Sequence, residues 1–178
     1  MKKNKLLLVD VDGVLTTGRK TYGSDGMPMS KEFFDKDFTA LKEFTACGFH
    51  VIWISGDDFI NKEVAKNRNY EFISARNKDK GEITSRLLQK SEVKYEYIIT
   101  IGDDLFDIGI LPYVNKFYIP SNAHWRIKEK VDVDDRIHLL ETKGGYGAVV
   151  EMSQFELSNN TFEEVLKGIV DLDQKEKF

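Results

Sequence analysis

Apolar residues recur along this chain in two alternating rhythms. Short runs at Lys5 to Asp10, His50 to Ile54, Glu71 to Ser74, Tyr97 to Ile101 and Lys116 to Ile119 have the length and β-rich composition of strands. Between them the spacing turns helical: Leu41 with Phe44, Ile83 with Leu87 and Leu88, and Ile108 with Leu111 fall three or four apart, and Val64 with Ala65 marks a further helical segment. Strands separated by crossover helices predict a parallel sheet covered on both faces. Runs as apolar as VIWI and IITI suit strands buried on both sides. The expected fold is therefore a Rossmann-like, doubly wound α/β sheet.

Two segments break the alternation. Gly18 to Phe34 places the turn signal YGSDG between two short possible strands, which predicts a β-hairpin flap over about residues 18–34 beside the sheet's active edge. Thr161 to Leu172 carries Phe162, Val165, Leu166, Ile169 and Val170 on one helical face, opened by Thr161 and Glu164 at capping-box spacing. That stripe is expected to pack on the protein's own core. The organisation predicted is one domain over 1–157 that includes the flap, a helical tail over 158–178, and no large cap domain.

Composition narrows the functions. The 178 residues are 41% hydrophobic and 31% charged, enough for one sizeable core. A formal net charge of -4 gives no basic field for a nucleic-acid backbone or an anionic membrane. The Lys-rich start, Met1 to Lys5, leads into an apolar run that ends at Val9, too short for a signal segment or a membrane span, so a cytoplasmic protein is expected. The single cysteine, Cys47, is read as a small buried apolar residue.

In a doubly wound sheet ligands bind beyond the carboxyl ends of the strands. Those ends carry Asp10 and Asp12, Ser55 and Gly56, Lys80 at a helix start, and Asp103 with Asp104. Residues two apart in extended backbone point the same way, so Asp10 and Asp12 face one ligand while Val11 turns inward. Gly13 permits the tight turn that follows. Asp10, Asp103 and Asp104 would repel one another by about 4 kcal/mol per pair at an effective dielectric near 20. Lys80 offers one compensating charge, and an all-oxygen ligand set suits a hard divalent ion, Mg²⁺ first. With the oxygens of a phosphate neutralised by the ion and Lys80 and held by Ser55, Asp10 is placed as nucleophile and Asp12 as acid/base.

Four stretches, DVDGVLT at Asp10 to Thr16, ISG at Ile54 to Gly56, the lysine of NKDKGE at Lys80 and IGDDLFD at Ile101 to Asp107, resemble in order and spacing the four motifs of the haloacid dehalogenase superfamily. TYGSDG, NAH at Asn122 to His124 and KGGYGAVVE at Lys143 to Glu151 resemble its small capless branch, typified by the octulosonate 8-phosphate phosphatases. The resemblance implies a phosphatase with Asp10 as nucleophile, Asp12 as acid/base with its backbone carbonyl on Mg²⁺, Asp103 as a direct metal ligand and Asp104 just behind it. It also implies a homotetramer in which a neighbour helps to cover each site, acting in surface-glycan synthesis on a small phosphorylated sugar or sugar acid. Three places depart from the branch, one of them the RDG after the hairpin, which appears as Lys36, Asp37 and Phe38. Asp57 stands where an arginine would meet a sugar-acid carboxylate, and Val150 stands for another arginine, so weak preference for sugar acids is expected.

Other readings stand beside these. Lys78 competes with Lys80, Asp107 is read as charging a helix's first turn, His124 and Trp125 as packing residues, and Asp132 to Asp135 as a solvated turn. The competing functions are a phosphatase of larger or protein substrates and a phosphate-binding regulatory module without turnover.

Overall fold

The computed structural model describes residues 4–76 and 78–176; the start up to Lys3, the asparagine that opens NKDKGE and the end of the tail lie outside the described residues. The chain runs β1 (Lys5–Val9), β2 (Thr16–Tyr22), β3 (Pro28–Phe33), α1 (Asp35–Ala46), β4 (Phe49–Ser55), α2 (Ile60–Asn67), β5 (Glu71–Ser74), α3 (Lys80–Lys90), β6 (Tyr97–Ile101), a 3-10 helix (Leu105–Tyr113), β7 (Lys116–Ile119), α4 (Trp125–Lys128), β8 (Ile137–Leu139), α5 (Ala148–Glu156) and α6 (Phe162–Asp173). Six strands pair in parallel in the order β5-β4-β1-β6-β7-β8. The winding reverses at β1, which opens a crevice beyond its carboxyl end.

Alternation along β1 builds both cores. Leu7 and Val9 join Phe38, Leu41 and Phe44 of α1 and Val149 and Met152 of α5 on one face. Leu6 and Leu8 join Ile110, Phe117 and Ile127 on the other. Four of the five β1 side chains, Leu6 to Val9, are fully buried, each a contribution of about 1.5–3 kcal/mol. A strand held this firmly from both sides is a fixed mount for whatever follows it.

The doubly wound fold and the flap follow the apolar pattern, with β2 and β3 forming a separate antiparallel pair. Three features depart from the sequence reading. The sixth strand, β8, has only three residues, too few to stand out as a run. The segment expected as a helix around Ile108 and Leu111 is a 3-10 helix that contains Pro112, and it meets α3 where Gly81 and Gly109 allow backbone to approach backbone. The tail helix α6 forms behind the predicted capping box but is only half docked. Gly168 lies against Ala46 of α1, and Val165, Ile169 and Leu172 are half-buried, while Phe162, Leu166 and Val170 stay exposed. The apolar stripe is wider than the ridge that one neighbouring helix covers. Cys47 is a half-buried free thiol packed against the core. Among the described residues no helix is long and apolar enough to cross a membrane.

Candidate active site

The site begins where β1 ends. Asp10 continues the sheet ladder, donating its backbone N–H to Ile101 at 3.0 Å. Val11 then turns into the core, and its carbonyl accepts from the N–H groups of Val14, Leu15 and Thr16 at 3.3, 3.0 and 3.0 Å, curling the chain into a tight loop. Gly13 sits at φ 89°, and a Cβ there would run into the Asp103 carboxylate. The loop is braced from the far end of the domain. Gly145 donates to the Val14 carbonyl at 2.7 Å, Gly144 lies so close to the Gly13 carbonyl that a side chain has no room, and Asn122 Oδ1 accepts from the Gly144 N–H at 2.8 Å. His124 donates its N–H to the Asp103 carbonyl at 2.8 Å, so the NAH and GGYG stretches brace the chain beyond the ends of β1 and β6.

On one side of β1 lies a cluster with excess negative charge. Asp79 caps α3, which starts at Lys80, and the close Gly81–Gly109 approach carries Lys80 to the 3-10 helix. Its buried Nζ donates to Asp10 at 2.6 Å and to Asp107 at 2.5 Å. The second Asp107 oxygen accepts from the N–H groups of Asp103 and Asp104 at 3.0 and 2.9 Å. Carboxylate oxygens of Asp10, Asp103 and Asp107 lie within 4.8 Å of one another, and Asp103 Oδ1 is buried with no partner among the described residues. Burial, then repulsion from Asp107, pushes Asp10 up to about 7, with Lys80 pulling the other way. Burial, then repulsion from Asp10 and Asp107, pushes Asp103 up to about 8. Burial favours loss of the Lys80 proton, but Asp10 and Asp107 outweigh it and hold the ammonium charged above its ordinary range. Three carboxylates against one ammonium, with an orphaned buried oxygen aimed among them, fit a divalent cation bound by oxygen.

Asp107 is thus part of this cluster rather than only a helix-turn charge. Asp104 is exposed and caps the 3-10 helix, its side chain accepting from Leu105 N–H at 2.6 Å, and it lies outside the three-carboxylate group. Both residues follow the same strand, and only the tightness of the 3-10 turn decides which one points back to Lys80. Lys78 is exposed at the mouth of the crevice, whereas Lys80 is buried within it.

On the other side of β1 the charges balance. Asp12 turns away from the first cluster and accepts from Lys31 Nζ at 2.7 and 3.0 Å and from Asn61 at 3.1 Å, with Lys20 Nζ at 3.2 Å. Lys31, on β3 of the flap, has a fully buried side chain that also reaches Asp57 at 2.5 Å and Asn61 at 2.8 Å. Asn61, buried in the first turn of α2, donates to Ser55 Oγ at 2.9 Å, and that oxygen also accepts from Asp57 N–H at 3.2 Å. Despite its burial, Asp57 is held below the usual carboxylate range by Lys31 and the Phe59 N–H. Of the two readings of Asp57 and Asp58, a substrate-facing pair or an ordinary helix N-terminus, Asp57 follows neither simply: its carboxylate accepts from the Phe59 N–H and pairs with the flap lysine Lys31. Asn61, Lys20 and Lys31 were not legible as site residues, since a polar residue in a helix and lysines in a hairpin read as surface.

Asp10, Asp12, Ser55, Gly56 and Lys80 line one cavity of about 680 Å³, with Arg76, Asp104 and Phe106 also on its wall. A buried carboxylate clasped by an ammonium, a second carboxylate beside it and a serine hydroxyl at the same strand edge make a receptacle for a tetrahedral dianion.

A haloacid dehalogenase-like hydrolase profile matches residues 56–134. The chain is similar to the 3-deoxy-D-manno-octulosonate 8-phosphate phosphatase of Haemophilus influenzae, at 28% identity over 155 residues covering 86% of this chain and 82% of that protein. Its fold is similar to the cobalt-bound form of the phosphatase from that organism, with a TM-score of 0.80, 27% identity and coverage of 97% of this chain and 99% of the other. It is also similar to the Moraxella catarrhalis octulosonate 8-phosphate phosphatase in complex with magnesium ion, phosphate ion and KDO, with a TM-score of 0.72, 25% identity and coverage of 97% and 92%.

Proposed function

We propose that the chain is a capless phosphatase of the haloacid dehalogenase-like hydrolases, to which it is similar, and that it removes phosphate from a small phosphorylated sugar or sugar acid, with Mg²⁺, through an aspartyl-phosphate on Asp10. The observation that carries this reading is the clasp of Lys80 on Asp10 beside the orphaned Asp103 oxygen. The Haemophilus and Moraxella phosphatases with cobalt and magnesium support a divalent ion on Asp10, Asp103, the Asp12 backbone carbonyl and, from this geometry, Asp107. Such an ion neutralises phosphate and carboxylate charge together.

In the first step an Asp10 oxygen forms a bond to phosphorus as the bond to the alcohol oxygen breaks, and Asp12 delivers the proton to that departing oxygen. In the second, Asp12 takes a proton from a water whose oxygen bonds to phosphorus, releasing inorganic phosphate and the free Asp10 carboxylate. Lys80, Ser55 and Gly56 bind and orient the phosphoryl oxygens. Lys31 and Asn61 hold Asp12 turned toward the leaving group. Exposed Tyr22, Met27 and Met29 on the flap, together with an open crevice, support an oligomer in which a neighbour completes the cover. The resemblance to octulosonate phosphatases supports a cytoplasmic role in making surface-glycan precursors. Release of phosphate from a panel of sugar phosphates, with and without Mg²⁺, tests the reading. No release from any ester by wild-type protein overturns it.

A further inference from the structure

The tail helix α6 is fastened to the domain on one side and bare on the other. Gly168 lies against Ala46 of α1, and Val165, Ile169 and Leu172 are half-buried. Its far end is pinned by the buried Lys42, which pairs with Asp173 at 2.5 Å and with Glu176 at 3.1 Å. The helix is therefore held, and the fold decides which side chains it presents. Phe162, Leu166 and Val170, 73%, 45% and 48% exposed and four residues apart, form one ridge about 12 Å long at 1.5 Å per residue. An apolar ridge on a firmly mounted helix is a surface made to be covered.

The pattern of the ridge points to what covers it. Apolar residues stand at equal distances before and after Leu166. A second copy laid antiparallel about a two-fold axis at that residue sets Leu166 against itself and Phe162 against Val170 of the second copy. The charges beside the ridge obey the same symmetry. Exposed Glu163 lies three residues before Leu166 and exposed Lys167 one after it, on one flank, and neither is in an ion pair among the described residues. In the antiparallel pair that flank meets itself, so Lys167 comes within about 3 Å, along the helix axis, of Glu163 of the second copy, and the reverse. A lipid surface matches less well, because the polar face carries Glu163, Glu164 and Asp171 against Lys167, the wrong sign for anionic headgroups.

We propose that α6 is a self-association helix, its ridge pairing with the same ridge of a second copy across a two-fold axis at Leu166. The contact is separate from the flap and does not depend on the phosphatase reading. Three side chains a copy are a small patch beside the roughly 1,200 Å² of a standard interface, so the pairing is concentration-dependent.

Sedimentation equilibrium of the full chain, from micromolar to millimolar concentration, tests the proposal. Wild type should be heavier than Leu166→Glu, by up to twofold at the highest concentration, with the pairing weakened about tenfold or more in the variant. Glu163→Lys should weaken it less, and Glu163→Lys combined with Lys167→Glu should recover it, because the swap restores the same pairs with their signs exchanged. Thermal melts at the lowest concentration should agree among all of them, since each substituted side chain is exposed. A wild-type mass no different from that of Leu166→Glu at every concentration, or a charge swap that stays as weak as Glu163→Lys, overturns the proposal. Co-sedimentation of wild type with phosphatidylcholine and phosphatidylglycerol vesicles, lost in Leu166→Glu while the protein's own mass never rises, also overturns it and assigns the ridge to lipid.

Discussion

Two ion clusters flank the end of β1 within a few residues of each other, and they are built to opposite rules. The Lys80 cluster gathers Asp10, Asp103 and Asp107 around one ammonium and leaves an Asp103 oxygen without a partner among the described residues. The flap cluster sets Lys20 and Lys31 against Asp12 and Asp57 with Asn61 bridging. The first is short of positive charge and the second is complete. An incomplete cluster calls for a cation and a substrate, whereas a complete one fixes geometry. The proposed nucleophile, Asp10, belongs to the first and the proposed acid/base, Asp12, to the second, so two carboxylates one residue apart have surroundings suited to different tasks.

The sharpest break of the first cluster is Asp10→Asn, which should lower phosphate release by a factor on the order of 10⁴ or more while the thermal transition is retained. Residual turnover near the wild-type rate would remove Asp10 as nucleophile. Chelation comes next: EDTA should stop activity, Mg²⁺ should restore it, and Mg²⁺ should raise Tm more at pH 8.5 than at pH 6. The sign follows from the raised titration of the Asp10 and Asp103 carboxyls, since at the lower pH a cation must displace protons that the pair holds. An equal rise at both pH values would contradict it.

The second cluster is broken by Lys31→Met, which leaves two carboxylates facing Lys20 alone and should cost about 3 kcal/mol of stability. Adding Asp57→Asn restores the balance, and denaturant melts should recover a good part of the loss in the double variant. Additive losses would show that charge balance is not what Lys31 supplies.

The smallest effect concerns Asp37, away from both clusters. Its buried carboxylate accepts from the Val149 and Val150 N–H groups at the start of α5, and burial outweighs those bonds to push it up to about 6. Between about pH 4 and 6 the folded state then holds a proton that the unfolded chain has lost, so this residue's contribution to stability falls as pH rises through that window. Asp37→Asn lacks that titration. The Tm of wild type relative to the variant should therefore decline from pH 4 to 6.5, and a flat difference would refute the assignment.

Much of this was legible because it lies in local pattern. Continuous apolar runs gave the parallel strands, and a strand's carboxyl end is where Asp10, Ser55 and Asp103 had to be sought. What escaped depends on pairing across the fold. Asp107 and Asp104 both follow β6, and nothing in IGDDLFD says which one the 3-10 turn returns to Lys80. Lys31 looks like any hairpin lysine until β3 is folded over Asp57. The stripe on α6 was visible, but its width against a single neighbouring helix was not, so Phe162, Leu166 and Val170 came out exposed.

The hydrogen bond from Gly145 to Val14 has a consequence for how the enzyme is made. A ribosome that has released the chain only as far as β6 and the 3-10 helix has delivered Asp10, Asp12, Lys80 and the acids that accompany them, yet not the diglycine segment that braces the loop after β1. The loop after β1 is braced only once the diglycine segment, more than a hundred residues further along, has emerged to close over it.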